Sequence, residues 1–274
     1  MLKQRVLTAL ILAPLALWVV LFASHEVFAF VMMGVIAVAA HEWGMLCGLS
    51  GIPRIAFAIV SLALMLLAHS SGQALDYQLL LLAVSATWAG LTLWLIVQRS
   101  ELKPHRGIFY PGLLIGLALL FVAWFSVVQI HAIESYGSHL VMALLLMIWI
   151  ADTGAYFAGR QFGKHKLSPK VSPGKSWEGV IGGLLGVAVF GWFLTSHEYF
   201  QAVNPFFLSL LSMLVAFISV GGDLFESRIK RQRGVKDSGK ILPGHGGIYD
   251  RIDSVIAAAP VYLLGLTLID GSAL

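Results

Sequence analysis

Long apolar stretches separated by shorter polar ones make up most of the chain. A helix needs about 20 mostly apolar residues to cross a bilayer, and the chain offers nine such stretches, of which the third and eighth are short. They cover residues 6–23, 27–47, 55–69, 77–97, 108–130, 139–158, 177–195, 205–222 and 252–270. The pattern predicts an all-α, polytopic integral membrane protein with about nine transmembrane helices.

The basic residues between these stretches predict the orientation in the membrane. If nine spans alternate across a bilayer, all 18 Lys and Arg residues fall on the side of the N-terminus. That side receives the N-terminus and the connections 48–54, 98–107, 159–176 and 223–251. Basic residues near span ends stay cytoplasmic, so we expect a cytoplasmic N-terminus and an external C-terminus.

Composition narrows the class of protein further. The 274 residues are 58% apolar and only 12% charged, which is far from the balance of a soluble domain. The net charge of +4 does not indicate a nucleic-acid partner, because the basic residues lie between apolar spans. Cys47 is the only cysteine, which excludes a disulfide framework and a Cys-based zinc site. The basic start and the long first apolar run predict an uncleaved first helix, which favours a bacterial inner membrane.

Polar chemistry is concentrated in two stretches of what the sequence predicts to be a single membrane domain, residues 1–274. These glycine-rich stretches, about 159–179 and 221–254, both lie on the predicted cytoplasmic side. We therefore expect the active site to face the cytoplasm.

The stretch 221–254 combines acids, bases and glycines. Asp223 is costly in hydrocarbon unless it faces water, a cation or a partner, and in a continuing helix Asp223, Glu226 and Lys230 would share one face. The later glycines let the backbone approach an anion, and Asp250 stands where the chain re-enters the membrane. We expect Asp223 and Asp250 to hold Mg²⁺ while basic side chains neutralise phosphate oxygens.

Anchoring to lipid is the simpler explanation for the basic run 230–240. Each Lys or Arg near an anionic membrane surface contributes about 1 kcal/mol to binding with no catalytic role. Anchoring does not explain the glycine turn or the acids on both sides of it, and these features favour a phosphate-handling site.

The earlier stretch begins with Asp152 inside the sixth span. An acid at that depth either serves a site or makes a hydrogen bond between packed helices. Glycines at helical spacing in the seventh span indicate close helix packing. They are Gly179, Gly182, Gly183 and Gly186.

Gly174-Lys175-Ser176 resembles a P-loop only superficially, because Pro169 stands where the motif needs its first glycine. Ser176 is instead typical of the N-cap of the seventh helix, after a turn at Pro173-Gly174. Lys175 beside a helix N-terminus then suits a phosphate group.

Taken together, four motifs resemble the signature of the phosphatidate cytidylyltransferases, also called CDP-diglyceride synthases. They are Ser227-Arg228-Ile229-Lys230-Arg231, Lys236-Asp237-Ser238, Leu242-Pro243-Gly244-His245-Gly246-Gly247 and Asp250-Arg251-Ile252-Asp253. The upstream stretches ADTGAYFAGR and SPGKSWEG and the nine-span arrangement are also similar to that family. The resemblance covers essentially the whole chain.

The resemblance implies a Mg²⁺-dependent nucleotidyltransferase of phospholipid biosynthesis, which converts CTP and phosphatidic acid into CDP-diacylglycerol and pyrophosphate. The catalytic set is Asp223, Asp250, Lys230, Arg231, Lys236 and Asp237, with Asp223 and Asp250 as metal ligands. The substrate-binding set is Asp152, Lys175, Ser176, Ser227, His245, Gly246, Gly247 and Arg251. The expected partners are CTP, phosphatidic acid and membrane lipids, with a second metal, a monovalent cation and a homodimer left open.

Two other classes of protein fit parts of the pattern. A CTP-dependent lipid kinase or an alcohol phosphatidyltransferase would also handle phosphates at a membrane, but the DGxxAR segment of the latter is absent. An ion-coupled anion transporter could use Asp152 and Asp223 as coupling acids, with polar sites at mid-membrane depth and a repeated architecture. The concentration of polar chemistry on one side argues against the transporter.

Overall fold

The computed structural model describes residues 2–71, 77–98 and 104–270. Within these residues the chain forms nine α-helices and one two-stranded hairpin. The helices are α1 (Leu2–Phe22), α2 (His25–Leu46), α3 (Gly51–Ser71), α4 (Gln78–Val97), α5 (Tyr110–His131), α6 (Gly137–Phe162), α7 (Trp177–Leu194), α8 (Pro205–Arg233) and α9 (Tyr249–Asp270). The hairpin pairs β1 (Lys166–Ser168) with β2 (Ser172–Ser176) in antiparallel fashion.

Eight of the helices, α2 to α9, are long and apolar enough to cross a membrane. Helix α1 contributes a shorter described apolar part, Leu10–Phe22. Many large apolar side chains face outward, among them Leu67, Leu79 and Val97, which are 66%, 76% and 75% exposed. Such a surface is suited to lipid rather than water, and the prediction of an all-α polytopic membrane protein is confirmed.

The third and eighth helices are longer than the apolar runs that predicted them. Helix α8 continues from Pro205 to Arg233, because Glu, Lys, Arg and Gln sustain a helix as well as apolar residues do. It ends where Gly234 adopts a positive φ of 76° and its N–H donates to the Arg231 carbonyl, as is typical of a helix C-terminus. Residues 99–103 of the predicted basic connection 98–107 lie outside the described residues.

The chain divides into two compact units, and the single-domain prediction stays a prediction. The first comprises Met1–Leu75, Lys103–Met142 and Ile229–Ile256, and the second Asp76–Leu102, Ala143–Arg228 and Ala257–Leu274. Helices α6, α8 and α9 contribute residues to both.

In the first unit, α2 packs against α3 and α5. The fully buried Trp43 of α2 donates from its indole Nε1 to the Gly112 carbonyl of α5 over 2.9 Å. A Cβ added at Gly116, one turn further along α5, would overlap that indole ring. Glycine is therefore needed at position 116 to let the two helices approach.

In the second unit, α6 and α7 lie against each other through small residues. A Cβ at Gly182 would overlap the Cβ of Ala158, and one at Gly183 would lie 2.5 Å from the Ala151 carbonyl oxygen. The predicted close packing of the seventh-span glycines is confirmed. This contact fixes where α6 carries Asp152.

The hairpin β1–β2 sits in the second unit, beside α4 and the start of α7. Leu167 and Val171 of the hairpin join a buried apolar cluster with Leu95, Val180 and Leu224. The turn predicted at Pro173-Gly174 is wrong. Both residues lie inside β2, and the chain turns at residues 169–171.

Candidate active site

Asp223 is placed in the second unit by a close approach of α8 to α4. A Cβ added at Gly221 would overlap the hydroxyl of Thr92, and Trp88 of α4 meets Phe225 edge-on with ring centroids 5.7 Å apart. Packing on both sides of Asp223 therefore fixes the helix that carries it.

Asp223 is the centre of a small charged cluster in this unit. Its Oδ2 lies 2.7 Å from the Lys175 Nζ, and its Oδ1 accepts a 3.1 Å hydrogen bond from the Ser227 hydroxyl one turn later. Asp152 is exposed on α6 and interacts electrostatically with Lys175 and Asp223. The structure thus brings together four residues that the sequence proposed, from three separate elements.

A second carboxylate stands beside Asp223. A carboxylate oxygen of Glu226 lies within 4.8 Å of one of Asp223, and Glu226 is only 2% exposed. Two acids this close repel each other unless a cation or proton lies near them. The sequence placed Glu226 on the same helix face but did not include it among the site residues.

Ser176 confirms its predicted role at the start of α7. Its hydroxyl accepts a 3.1 Å hydrogen bond from the Gly179 N–H, which is the geometry of an N-cap. Glu178 in the first turn accepts the His165 N–H, with 3.2 Å to each oxygen, and its Oε1 lies 2.6 Å from the His165 ring. The hairpin is thereby tied to the helix, and Lys175 lies directly before its N-terminus.

Asp250 organises a second cluster, in the first unit. Its Oδ1 lies 2.7 Å from the Lys230 Nζ, and the two side chains are only 6% and 12% exposed. The N–H of Ser238 donates to both Asp250 oxygens at 3.1 and 2.9 Å, and the N–H of Gly247 donates to Oδ2 at 2.8 Å. One carboxylate therefore joins the α8 segment, the start of the loop and its end.

The loop between α8 and α9 needs its glycines. Gly244 and Gly246 adopt positive φ angles of 77° and 84°, which side chains other than glycine rarely tolerate. The turn closes as the Gly246 carbonyl accepts the Leu242 N–H, and the Arg251 guanidinium donates to the His245 carbonyl at 2.7 and 3.1 Å. The backbone role of Gly246 and Gly247 is clear, since a Cβ at Gly246 would crowd the Asp250 carboxylate.

Three predicted catalytic side chains have no fixed partner in the part of the chain that the structure describes. The side chains of Arg231, Lys236 and Asp237 are exposed, and within the described residues we find no hydrogen bond or ion pair that holds them. Two of them are cations, and such side chains suit a mobile polyanion that the protein must bind and release.

Glu42 contacts this loop but was not among the site residues proposed from the sequence. It lies on α2 and is fully buried, yet its Oε2 accepts the Tyr249 N–H at 2.8 Å and the Ser238 hydroxyl at 3.2 Å. The contacts with Ser238 and Tyr249 connect Glu42 to the loop and to the start of α9.

Comparison with known proteins adds the family. A sequence model described as "Cytidylyltransferase family" matches residues 3–269, which include both clusters. The chain belongs to the cytidylyltransferase family.

Relatives in this family match nearly end to end. A protein of Pseudomonas aeruginosa named phosphatidate cytidylyltransferase is 40% identical over 263 residues, covering 96% of each chain. Proteins with the same name from Haemophilus influenzae and Thermotoga maritima are 36% and 31% identical, over 96% and 98% of this chain and 97% and 98% of their own. The resemblance seen in the motifs is therefore confirmed at the level of the family.

Proposed function

We propose that this chain transfers the cytidylyl group of CTP to phosphatidic acid, giving CDP-diacylglycerol and pyrophosphate. The observation that carries the proposal is the match to the cytidylyltransferase family over residues 3–269. Near-complete alignment with proteins named phosphatidate cytidylyltransferase supports the choice of lipid substrate. The membrane fold supplies the surface at which a lipid and a soluble nucleotide can meet.

We propose Asp223 and Asp250 as carboxylates that hold Mg²⁺. The residues fit such an ion, since Asp223 stands beside the buried Glu226 and Mg²⁺ prefers one or two carboxylates with substrate phosphates and water. When bound, Mg²⁺ would neutralise phosphate charge and stabilise the departing pyrophosphate.

The protein's own cations would bind the two anionic substrates. Lys175 lies before the N-terminus of α7, where helix N–H groups also favour an anion. Lys230 would hold the Asp250 carboxylate in place, and the exposed Arg231 and Lys236 would contact phosphate oxygens. These residues position the substrates and reduce repulsion between two polyanions.

The chemical step is a displacement at phosphorus. A phosphate oxygen of phosphatidic acid forms a bond to the α-phosphorus of CTP, while the bond from that phosphorus to the bridging oxygen breaks and pyrophosphate leaves. A phosphomonoester is largely ionised near neutral pH, since its second pKa is about 6. The attacking oxygen therefore needs no strong general base.

The site would face the cytoplasm of a bacterial cell, in the inner membrane. The distribution of all Lys and Arg residues on one side of the predicted spans supports this sidedness. CTP is a cytoplasmic nucleotide, so the orientation and the proposed substrate agree.

Purified protein in detergent with phosphatidic acid, Mg²⁺ and CTP tests the proposal. With CTP labelled in the cytosine ring, we expect a chloroform-soluble labelled lipid, which EDTA abolishes and excess Mg²⁺ restores. With CTP labelled at the γ-phosphate, all label should stay in the water phase as pyrophosphate. Lipid labelled from the γ-phosphate would instead identify a CTP-dependent lipid kinase, and well-folded protein that transfers neither label would contradict both.

A further inference from the structure

Glu42 is a carboxylate in an unusual position. It lies near the end of α2 with none of its surface exposed, and among the described residues no Lys or Arg nitrogen comes within ion-pairing distance of it. The Arg54 guanidinium interacts with it only over a longer distance. Burial of a carboxylate is costly unless hydrogen bonds compensate, so this side chain is a poor choice for stability alone.

The hydrogen bonds of the Glu42 carboxylate within the described residues come from the loop between α8 and α9 and from the start of α9. Besides the bonds from the Tyr249 N–H and the Ser238 hydroxyl, the carboxylate lies where a Cβ of Gly239 or Gly247 would be. Its Oε1 has no hydrogen-bond partner among the described residues. Glu42 therefore occupies the space inside the loop and holds its two ends together.

Of the two residues that Glu42 holds, one binds Asp250 and the other precedes it in the chain. The Ser238 hydroxyl donates to Glu42, and the Ser238 N–H donates to Asp250. Tyr249 directly precedes Asp250 at the start of α9. The neighbouring Trp43 adds a second restraint, because its ring lies 5.2 Å from that of Tyr249. The end of α2 thus holds the α9 N-terminus from two adjacent side chains.

We infer that Glu42 is a positioning residue for the cytidylyl-transfer loop, which orients Asp250 through Ser238 and Tyr249. The inference rests on the proposed function for its effect on turnover, but not for its effect on loop structure. Glu42 touches neither substrate nor metal in this role. Its carboxylate acts as a hydrogen-bond acceptor and as a filler of the space that two glycines leave.

Two readouts test the inference: steady-state kinetics and amide hydrogen exchange of the loop. We expect Glu42→Ala to lower kcat by about 100-fold, which corresponds to about tenfold for each of the two hydrogen bonds that are lost. KM for phosphatidic acid should change by less than about threefold, because no substrate contact is removed. Exchange should rise in peptides covering residues 237–249 and stay unchanged in α5.

Glu42→Gln keeps an acceptor oxygen of the same reach, so it should restore protection of the loop and most of kcat. The Ser238→Ala variant removes one of the two bonds and should lower kcat by about tenfold. Ser61→Ala is its matched control, because the buried Ser61 hydroxyl donates to the Phe57 carbonyl of its own helix.

A double-mutant cycle tests whether Glu42 and Gly239 act together. Gly239→Ala should be as harmful as Glu42→Ala, since the new methyl group would overlap the carboxylate. The double variant should have a kcat no lower than that of either single variant, because removal of the Glu42 side chain makes room for the new methyl group. Gly34→Ala on α2 is the control, since a Cβ there meets nothing within 4 Å.

Several outcomes would overturn the inference. They are Glu42→Ala with wild-type kcat and a protected loop, a loss of kcat without any change in loop exchange, Glu42→Gln as impaired as Glu42→Ala, or strictly additive effects in the cycle. If Glu42→Ala fails to fold, Ser238→Ala and Gly239→Ala carry the same test. A wild-type protein with no transfer activity would contradict the proposed function, and loop exchange would still decide the role of Glu42.

Discussion

The Nζ of Lys230 lies 2.7 Å from the Oδ1 of Asp250, in a pair whose side chains are 12% and 6% exposed. Breaking such a pair by removal of one partner leaves an uncompensated charge and typically costs about 3–5 kcal/mol. Two loop N–H groups share the same carboxylate. Any substitution at Asp250 therefore acts on loop structure and on the proposed metal site at once, and the two effects need separate measurements.

We expect Asp250→Asn to abolish turnover without unfolding the helical bundle. The amide offers one acceptor oxygen to three donors and no charge to a cation, so turnover should fall at least about 100-fold. Transfer of label from CTP to lipid measures turnover, and thermal unfolding in detergent measures stability. The exposed Glu134 supplies the control Glu134→Gln. Near-normal turnover by folded Asp250→Asn would mean that Asp250 is not a metal ligand.

The sequence predicted the helical bundle and the shared face of Asp223, Glu226 and Lys230, because both depend on local periodicity. Apolar runs of membrane length are a strong signal, and helical spacing places residues three and four apart on one face. Helix α8 continues to Arg233, so Asp223, Glu226 and Lys230 do lie in one helix.

Other features were missed because they depend on distant or ambiguous contacts. Glu42 and Tyr249 are separated by 207 residues, and no periodicity relates them. The hairpin was missed because Pro173-Gly174 is typical of a turn, whereas packing of Leu167 and Val171 into the apolar cluster favours a strand on either side of residues 169–171.

Loss of the Lys175 charge should affect substrate binding more than stability. The pair with Asp223 is 24% and 36% exposed, and solvent screening limits such a pair to about 1 kcal/mol or less. We expect Lys175→Gln to raise KM for CTP about tenfold or more with little change in unfolding temperature. Lys164→Gln removes an exposed charge from the same region and should leave KM unchanged. A wild-type KM in Lys175→Gln would show that Lys175 does not bind the nucleotide phosphates.

Packing of α6 on α7 should be sensitive to a single added methyl group. Gly182→Ala places a Cβ in the space of the Ala158 Cβ, and overpacking of this kind costs about 1–3 kcal/mol. The unfolding temperature should fall by several degrees, and activity should fall with it, because these helices position Asp152 and Lys175. Gly90→Ala is the matched control on α4, where a Cβ meets nothing within 4 Å. Equal unfolding temperatures for the two variants would contradict this packing.

Cys47 should be inert in the folded protein at neutral pH. Burial raises the pKa of its thiol to about 12, and the charge of Arg233 opposes this only in part. Since an ordinary thiol has a pKa of about 8.5, the thiolate fraction at pH 8 should be lower by roughly three orders of magnitude. A maleimide should therefore label the native protein very slowly and the SDS-unfolded protein at once. With one cysteine in the chain, the label reports this site alone.

The same raised pKa predicts how stability depends on pH. At pH 8 the thiol is mostly protonated in both states, but above its ordinary pKa the unfolded chain loses the proton while the folded chain keeps it. The unfolded state is then favoured, so this contribution to stability is lost as pH rises from about 9 towards 12. Unfolding of wild type and Cys47→Ala, measured by tryptophan fluorescence at pH 8 and pH 10, isolates the effect. The difference in unfolding free energy between the two proteins should be smaller at pH 10 than at pH 8. A difference that stays constant would mean that Cys47 titrates normally.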